Sequence, residues 1–357
     1  MKIVFRVDAS IQIGTGHVMR CLTLAKELKQ KGNEVLFISR NLNGNLFDLI
    51  TREGYQVFCL QTHHKMENNC ENKHAQWLET SWEIDAEETT QIIKKNIGKA
   101  DWLVIDHYAI DYKWENELKD YSKYIMVIDD LADRKHKCDL LLDQNYYSNM
   151  YKRYHQLVPT NCKLLLGPKY ALLRDEFIEN RKILNRNNRK LQNILVFFGG
   201  TDPTNETLKT IRALNKIENK LNIDVVVGAS NPKKREIREI TKRMENTTFH
   251  SGIDYMAKLM VKADLAICAG GTTTWERYCL GLPAILIAVA FNQIEICEAI
   301  SELEIDRYMG ESKNITELDI INAVADIHHL NRKQSVEIAL KTVDGWGKFR
   351  VIEEILK

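Results

Sequence analysis

Three glycine-bearing turns carry the residues of this sequence best suited to chemistry. The first is GTGHVMR at positions 14–20, shortly after the apolar run KIVF. Gly14 and Gly16 let backbone approach a ligand closely, and a helix starting there offers unpaired N–H groups to an anion. His17 stands at that start. Histidine is a poor cap, and a helix dipole disfavours its cationic form at this end. A neutral imidazole is what a general base needs near pH 7. A residue that merely fills the first turn fits the same facts. The loop is not GxGxxG and has no P-loop lysine.

The second turn is FFGGTDPTNETL, with Gly199, Gly200, Thr201 and Asp202 ahead of Pro203. The pattern predicts a strand, a tight turn, a cap and Pro203 at the first helical position. Amides at Gly200 and Thr201 can serve a ligand while the cap serves the helix. The third is CAGGTTTWERYCLGLPAILI. Here Gly270, Gly271, Thr272, Thr273 and Thr274 suit a diphosphate, held by amides and hydroxyls without fixed positive charge. Glu276, one turn further on, can accept hydrogen bonds from a ribose diol. Pairing with the helix dipole is the alternative for that carboxylate.

These turns need elements to position them. KIVFRV, then HVMRCLTLAKELKQKG with Val18, Leu22, Ala25 and Leu28 at helical spacing, then EVLFIS predict a strand–helix–strand unit with parallel pairing. YQVFCL, ADWLVIDHY, YIMVIDD and CDLLLDQN continue the series, and LQNILVFF, NIDVVVG, TTFHSG, ADLAICA and PAILIA form a second one. The fold class is α/β, with two Rossmann-like domains and a ligand expected in a central cleft between them. Domain limits are placed at 1–180 and 190–357, joined by the charged stretch ENRKILNRNNRKLQ, with the last helix a candidate to cross back. Parallel strands present ligand-facing loops at their carboxyl ends, which puts Asp106, His107, Asp129 and Asp130 in view. Acidic residues in such places also cap the next element.

The chain has 357 residues, enough for two cores, and 50 basic against 49 acidic residues give a formal net charge of +1. No global field draws it to nucleic acid or an anionic membrane. No stretch is apolar for long enough to span a bilayer. The cysteines are scattered without a CxxC pair, which suits reduced core thiols and a cytoplasmic protein. Oligomeric state is not legible, and a monomer is the default expectation. A polar insert at 61–90 holds His63, His64, Cys70 and His74, whose spacing matches no standard zinc pattern, so no metal is expected. Trp77 and Trp82 lie within this insert and read as packing residues. The run NPKKREIREITKR reads as a solvated helix face.

Taken together, GTGHVMRCLTLA, VIDHY, GPKYALLRDEF, FFGGTDPTN and AGGTTTWERYCLGLPAILI with a following NQ resemble the UDP-2,4-diacetamido-2,4,6-trideoxy-β-L-altropyranose hydrolases of pseudaminic acid biosynthesis. The likeness runs in order from Met1 to about Gln293. Spore-coat polysaccharide proteins are similar too. More remotely, the glycine loop and GGTTT helix resemble the transferase that adds N-acetylglucosamine to the lipid-linked peptidoglycan precursor. The resemblance implies the GT-B architecture. It makes His17 the base that activates water for attack on the anomeric carbon of a UDP-sugar, with inversion and loss of UDP, and with no metal or other cofactor. It places Tyr108 and Arg174 near sugar and diphosphate, Glu276 at the uridine ribose and Asn292 at a further ligand contact. A GT-B glycosyltransferase with a sugar or lipid acceptor, and an inactive nucleotide-sugar binding protein, are the other classes to set against it.

Overall fold

Runs of β-branched and aromatic residues alternate along the chain with helical segments; these runs become strands, and the central ones are buried on both faces. The structure is a computed structural model that describes residues 1–62, 74–186, 190–217, 221–228, 231–329 and 332–357. It divides into two units: 1–145 with 149–172 and 347–357, and 146–148 with 173–346.

In the first unit β1 (Lys2–Val7), β2 (Glu34–Arg40), β3 (Gln56–Leu60), β4 (Ala100–Asp106), β5 (Ser122–Ile128), β6 (Leu140–Asp143) and β7 (Lys163–Leu166) form one sheet in the order β3-β2-β1-β4-β5-β6-β7. All its pairings are parallel. Ile3, Phe5 and Val7 enter one apolar cluster and Val4 the other, as a strand covered on both sides requires. The chain reverses its direction of winding between β1 and β4. At such a switch point the loops after the two strands part and leave room for a ligand. Helix α1 (Gly16–Gln30) follows β1 and buries Val18, Leu22, Ala25 and Leu28, the residues its period singles out.

The second unit holds β8 (Asn193–Phe197), β9 (Asn222–Val227), β10 (Thr247–Ser251), β11 (Leu265–Ala269), β12 (Ala284–Ala288) and β13 (Arg307–Glu311), ordered β10-β9-β8-β11-β12-β13 and again parallel throughout. Its switch point lies between β8 and β11, the strands that precede the two remaining glycine turns. Sequence patterning missed β7 and β13, both short edge strands at the ends of their sheets.

Several expectations need correction. The charged stretch after Glu179 is not a free linker. Arg181 donates to the carbonyls of Cys279 (2.6 Å), Val343 (2.9 Å) and Leu340 (2.8 Å), and Arg186 to those of Leu280, Ala263 (2.7 Å) and Met260 (2.5 Å). These arginines satisfy carbonyls at helix C-termini, so the segment is part of the second unit. The division falls at Leu172–Leu173 instead of at 180–190. The polar insert is not all loop either. Ala75–Leu78 is a 3-10 turn, and Trp82–Ile92 is a helix whose Asp85 is fully buried. Asp85 takes Arg6 at 2.6 Å, Arg40 at 2.7 Å and the Trp114 indole at 2.9 Å. A carboxylate this deep persists because every charge beside it is paired. His63, His64 and Cys70 lie outside the described residues.

The terminal helix Gly347–Ile355 belongs to the first unit, where Val351, Ile352 and Ile355 join its core. Trp102 of β4 donates its indole N–H to the Ile355 carbonyl at 2.9 Å. Gly347 sits so close to the chain at Ala171 that a Cβ there would meet its backbone at 2.4 Å.

Candidate active site and nucleotide site

The first glycine loop folds back before α1 begins. Gly14 adopts φ +81°, which favours glycine, and its amide donates to the Ser10 carbonyl at 2.8 Å. Gly16 opens the helix, and the Thr15 side chain does not cap it. His17 is therefore in the first turn, after β1, while Asp106 is the last residue of the neighbouring β4. The switch point brings them together: His17 Nδ1 lies 2.6 Å from Asp106 Oδ1.

Asp106 is fully buried. Burial alone would raise its carboxyl, but the charge of Arg20 and the hydrogen bonds from Arg20 and His17 outweigh that and hold it well below the usual carboxylate range. Arg20 grips it with a fork, Nε to Oδ2 and Nη2 to Oδ1, both at 2.6 Å. An ionised carboxylate only accepts, so the proton between it and His17 belongs to Nδ1. In the neutral imidazole Nε2 then keeps its lone pair. The contact of Arg20 Nη2 with His17 Nδ1, at 3.3 Å, sets two donors side by side and is not a hydrogen bond in this tautomer. The dyad has the form of an oriented base, a carboxylate fixing ring and tautomer while the far nitrogen stays free.

Tyr108 completes the surround. Its ring meets that of His17 edge-on, with centroids 4.6 Å apart. Its hydroxyl donates to Asp130 at 2.5 Å, and Asp130 also accepts from Arg20 Nη1 at 3.0 Å. The tyrosine hydroxyl is thus engaged with protein, and the Tyr108 ring packs against His17. Asp129 takes no part: it is fully buried and holds Arg134 at 2.7 Å, with the Tyr154 hydroxyl at 3.1 Å. His107 also turns away, its Nε2 lying 3.3 Å from Asp8. Burial pushes its imidazole down and keeps it neutral.

In the second unit Glu276 lies in the helix Thr273–Cys279 that follows β11 and the Gly270–Gly271 turn. Burial pushes its carboxyl up to about 7, with Arg174 pulling the other way at 3.3 Å. Arg174 also pairs with Glu176 at 2.7 Å, so it sits between two carboxylates. Gly271 has open space where a side chain would be, while a Cβ on Gly270 would strike Cys297 Sγ at 2.1 Å. Gly270 is thus required by packing as well. Thr272 is exposed and Thr273 half-buried. After β8, Gly200 also faces open space, and Gly228 packs against its carbonyl where no Cβ would fit. Pro203 is not the first helical residue. The helix is Glu206–Leu214, because Asn205 adopts φ +59° and Asp202 caps through Glu206 N and Thr207 N, both at 2.9 Å. Thr201 lies half-buried in that turn and Asn292 in an exposed one, Phe291–Gln293.

Residues 194–340 match the glycosyltransferase family 28 C-terminal domain. An uncharacterised protein of Methanocaldococcus jannaschii is 27% identical over 99% of this chain, which spans 66% of that protein's length. The UDP-2,4-diacetamido-2,4,6-trideoxy-β-L-altropyranose hydrolase of Campylobacter jejuni is 30% identical over 78% of this chain and 89% of its own. The chain belongs to this hydrolase family. Among solved structures, MurG of Acinetobacter baumannii superposes with a TM-score of 0.64 at 14% identity, covering 99% of both chains. That likeness establishes the GT-B fold of two Rossmann-like units.

His17 stands out in the sequence, but the side chains that surround it are less legible. Arg20 follows His17 by three positions and so shares its helix face. Asp106 ends a strand. Only the β1–β4 pairing shows that these residues meet. Among the described residues no group of three or more His, Cys, Asp or Glu side chains is placed to hold a metal ion, and no helix is long and apolar enough to cross a membrane.

Proposed function

We propose that this protein hydrolyses UDP-2,4-diacetamido-2,4,6-trideoxy-β-L-altrose to UDP and the free sugar, with inversion, as a cytoplasmic enzyme of pseudaminic acid biosynthesis. The observation that carries this is the His17–Asp106 contact at 2.6 Å, which turns Nδ1 to the carboxylate so that, in the neutral imidazole, Nε2 offers its lone pair to water. In the proposed reaction Nε2 takes a proton from water as the water oxygen bonds to the anomeric carbon. The bond from that carbon to the diphosphate oxygen breaks, and UDP leaves with the electron pair. UDP is a weakly basic leaving group, so a strong general acid is not needed. Preorganised donors can stabilise the departing charge. Arg174 and the amides and hydroxyls at Gly270, Gly271, Thr272 and Thr273 are proposed for that task, with Gly14, Gly16, Gly200, Thr201 and Asn292 as further substrate contacts. Glu276 is proposed to accept from the ribose hydroxyls, and Tyr108 to hold His17 beside the sugar.

The test is anomeric-proton NMR with this UDP-sugar and no acceptor. Free sugar of inverted configuration and UDP should appear, and EDTA should leave the rate unchanged. His17→Ala should abolish turnover while leaving UDP affinity within about twofold, since the lost group acts in the transition state only. Substantial residual turnover in that variant would remove His17 from the role. The family 28 domain match favours a transferase as the second reading. It predicts that UDP appears only when an acceptor is supplied.

A further inference from the structure

The polar insert reaches Tyr108 through His74 and Trp77. Both are half-buried, and both reach Tyr108: the His74 ring at 5.4 Å, the Trp77 ring at 5.5 Å and tilted by 30°. They also meet each other at 4.6 Å. Tyr108 itself is buried, with the His17 ring against it and the Arg134 guanidinium 5.9 Å from its centroid. Trp77 also packs on the apolar cluster that contains Trp114 and Ile110. Packing alone accounts for that contact. It does not account for two rings left half-exposed at the end of a stack that begins at His17. Two ring-to-ring steps, of 4.6 and 5.5 Å, lead from His17 to Trp77.

We infer that His74 and Trp77 form an aromatic wall for the sugar of the nucleotide-sugar, and that this wall selects sugars with apolar substituents. The inference rests on the proposed reaction for its choice of occupant. A base that serves an anomeric carbon must have the pyranose beside it, and surface two rings from that base is surface the pyranose reaches. Aromatic faces bury C–H groups and methyls, while a hydroxyl placed there would lose water without gaining a partner. Acetamido and 6-deoxy methyl groups add apolar surface to the ring C–H groups, so they gain more from such a wall than a fully hydroxylated hexose does. Trp77 is thereby a specificity-determining residue in addition to a packing one.

Isothermal titration tests this in a His17→Ala background, comparing the UDP-diacetamido-trideoxy sugar with UDP alone. Trp77→Ala should lose about tenfold or more in affinity for the UDP-sugar and none for UDP, about 1.4 kcal/mol or more. Trp77→Phe should keep most of the affinity, and His74→Ala should lose part of it. Equal losses for both ligands in Trp77→Ala would mark a packing defect and overturn the wall. So would unchanged UDP-sugar affinity in both alanine variants, or a parent protein that binds the UDP-sugar no better than UDP. Release of UDP by the wild-type protein, measured separately, reports on the reaction and not on the wall.

Discussion

Which nitrogen of His17 carries its proton is decided by Asp106. Replacing that carboxylate by an amide of the same shape offers His17 Nδ1 a donor, which drives the ring proton to Nε2 and removes the base. Asp106→Asn should therefore lower turnover by about a thousandfold or more. Nitrogen-15 shifts of His17 should report the tautomer change. A loss of rate with the original tautomer intact would point to simple destabilisation, because Arg20 also loses its buried partner there. Glu276 makes a different prediction. Its folded pKa, about 7, is raised above the ordinary 4.5 by burial. The folded state thus holds the extra proton between those values, and stability falls as pH rises from about 4.5 to 7. Glu276→Gln should melt higher than wild type at pH 8, with the difference vanishing toward pH 4.5, and should bind UDP less well. On the proposed reading Glu276 is a binding residue that costs stability, a common compromise. Equal melting temperatures at pH 8 would dismiss it.

Elements set how firmly these residues are held. The terminal helix Gly347–Ile355 covers α1, the element that carries His17, through Val351, Ile352 and Ile355. Gly347→Ala forces a Cβ into the backbone at Ala171, an overpacking that costs about 1–3 kcal/mol. Chemical denaturation should show that loss in the midpoint, with UDP affinity unaffected because the second unit supplies the nucleotide residues in the proposed scheme. An unchanged midpoint would mean that the helix start shifts freely. The helix Trp82–Ile92 plays a similar part from the other side, since its Asp85 is the shared partner of Arg6 in β1 and Arg40 in β2.

For the whole molecule, each unit has its own sheet and its own apolar cluster, so unfolding need not be a single two-state event. Scanning calorimetry should resolve more than one transition. UDP at a hundred times its Kd should raise one of them, by about 2.7 kcal/mol in stability. The Gly347→Ala change should lower the other. A single transition that both perturbations move together would show that the units unfold as one.

Patterning in the sequence determined the elements that repeat: strands of β-branched residues, α1 with its buried stripe, and glycine turns at strand ends. Local backbone and burial preferences suffice for these. His17, Glu276 and the glycines are legible for the same reason, since their neighbours along the chain reveal the turns that hold them. Asp106 lies 89 positions from His17 and Asp85 lies 79 from Arg6, and no local signal joins such residues. Their pairing follows from strand order, which places β4 beside β1 and the helix Trp82–Ile92 over buried arginines. The arginines at 181 and 186 belong to a stretch that reads as a linker until helix C-termini supply their partners. Tertiary structure decides these cases because a buried charge is stable only beside its counter-charge, and which counter-charge is near depends on the fold.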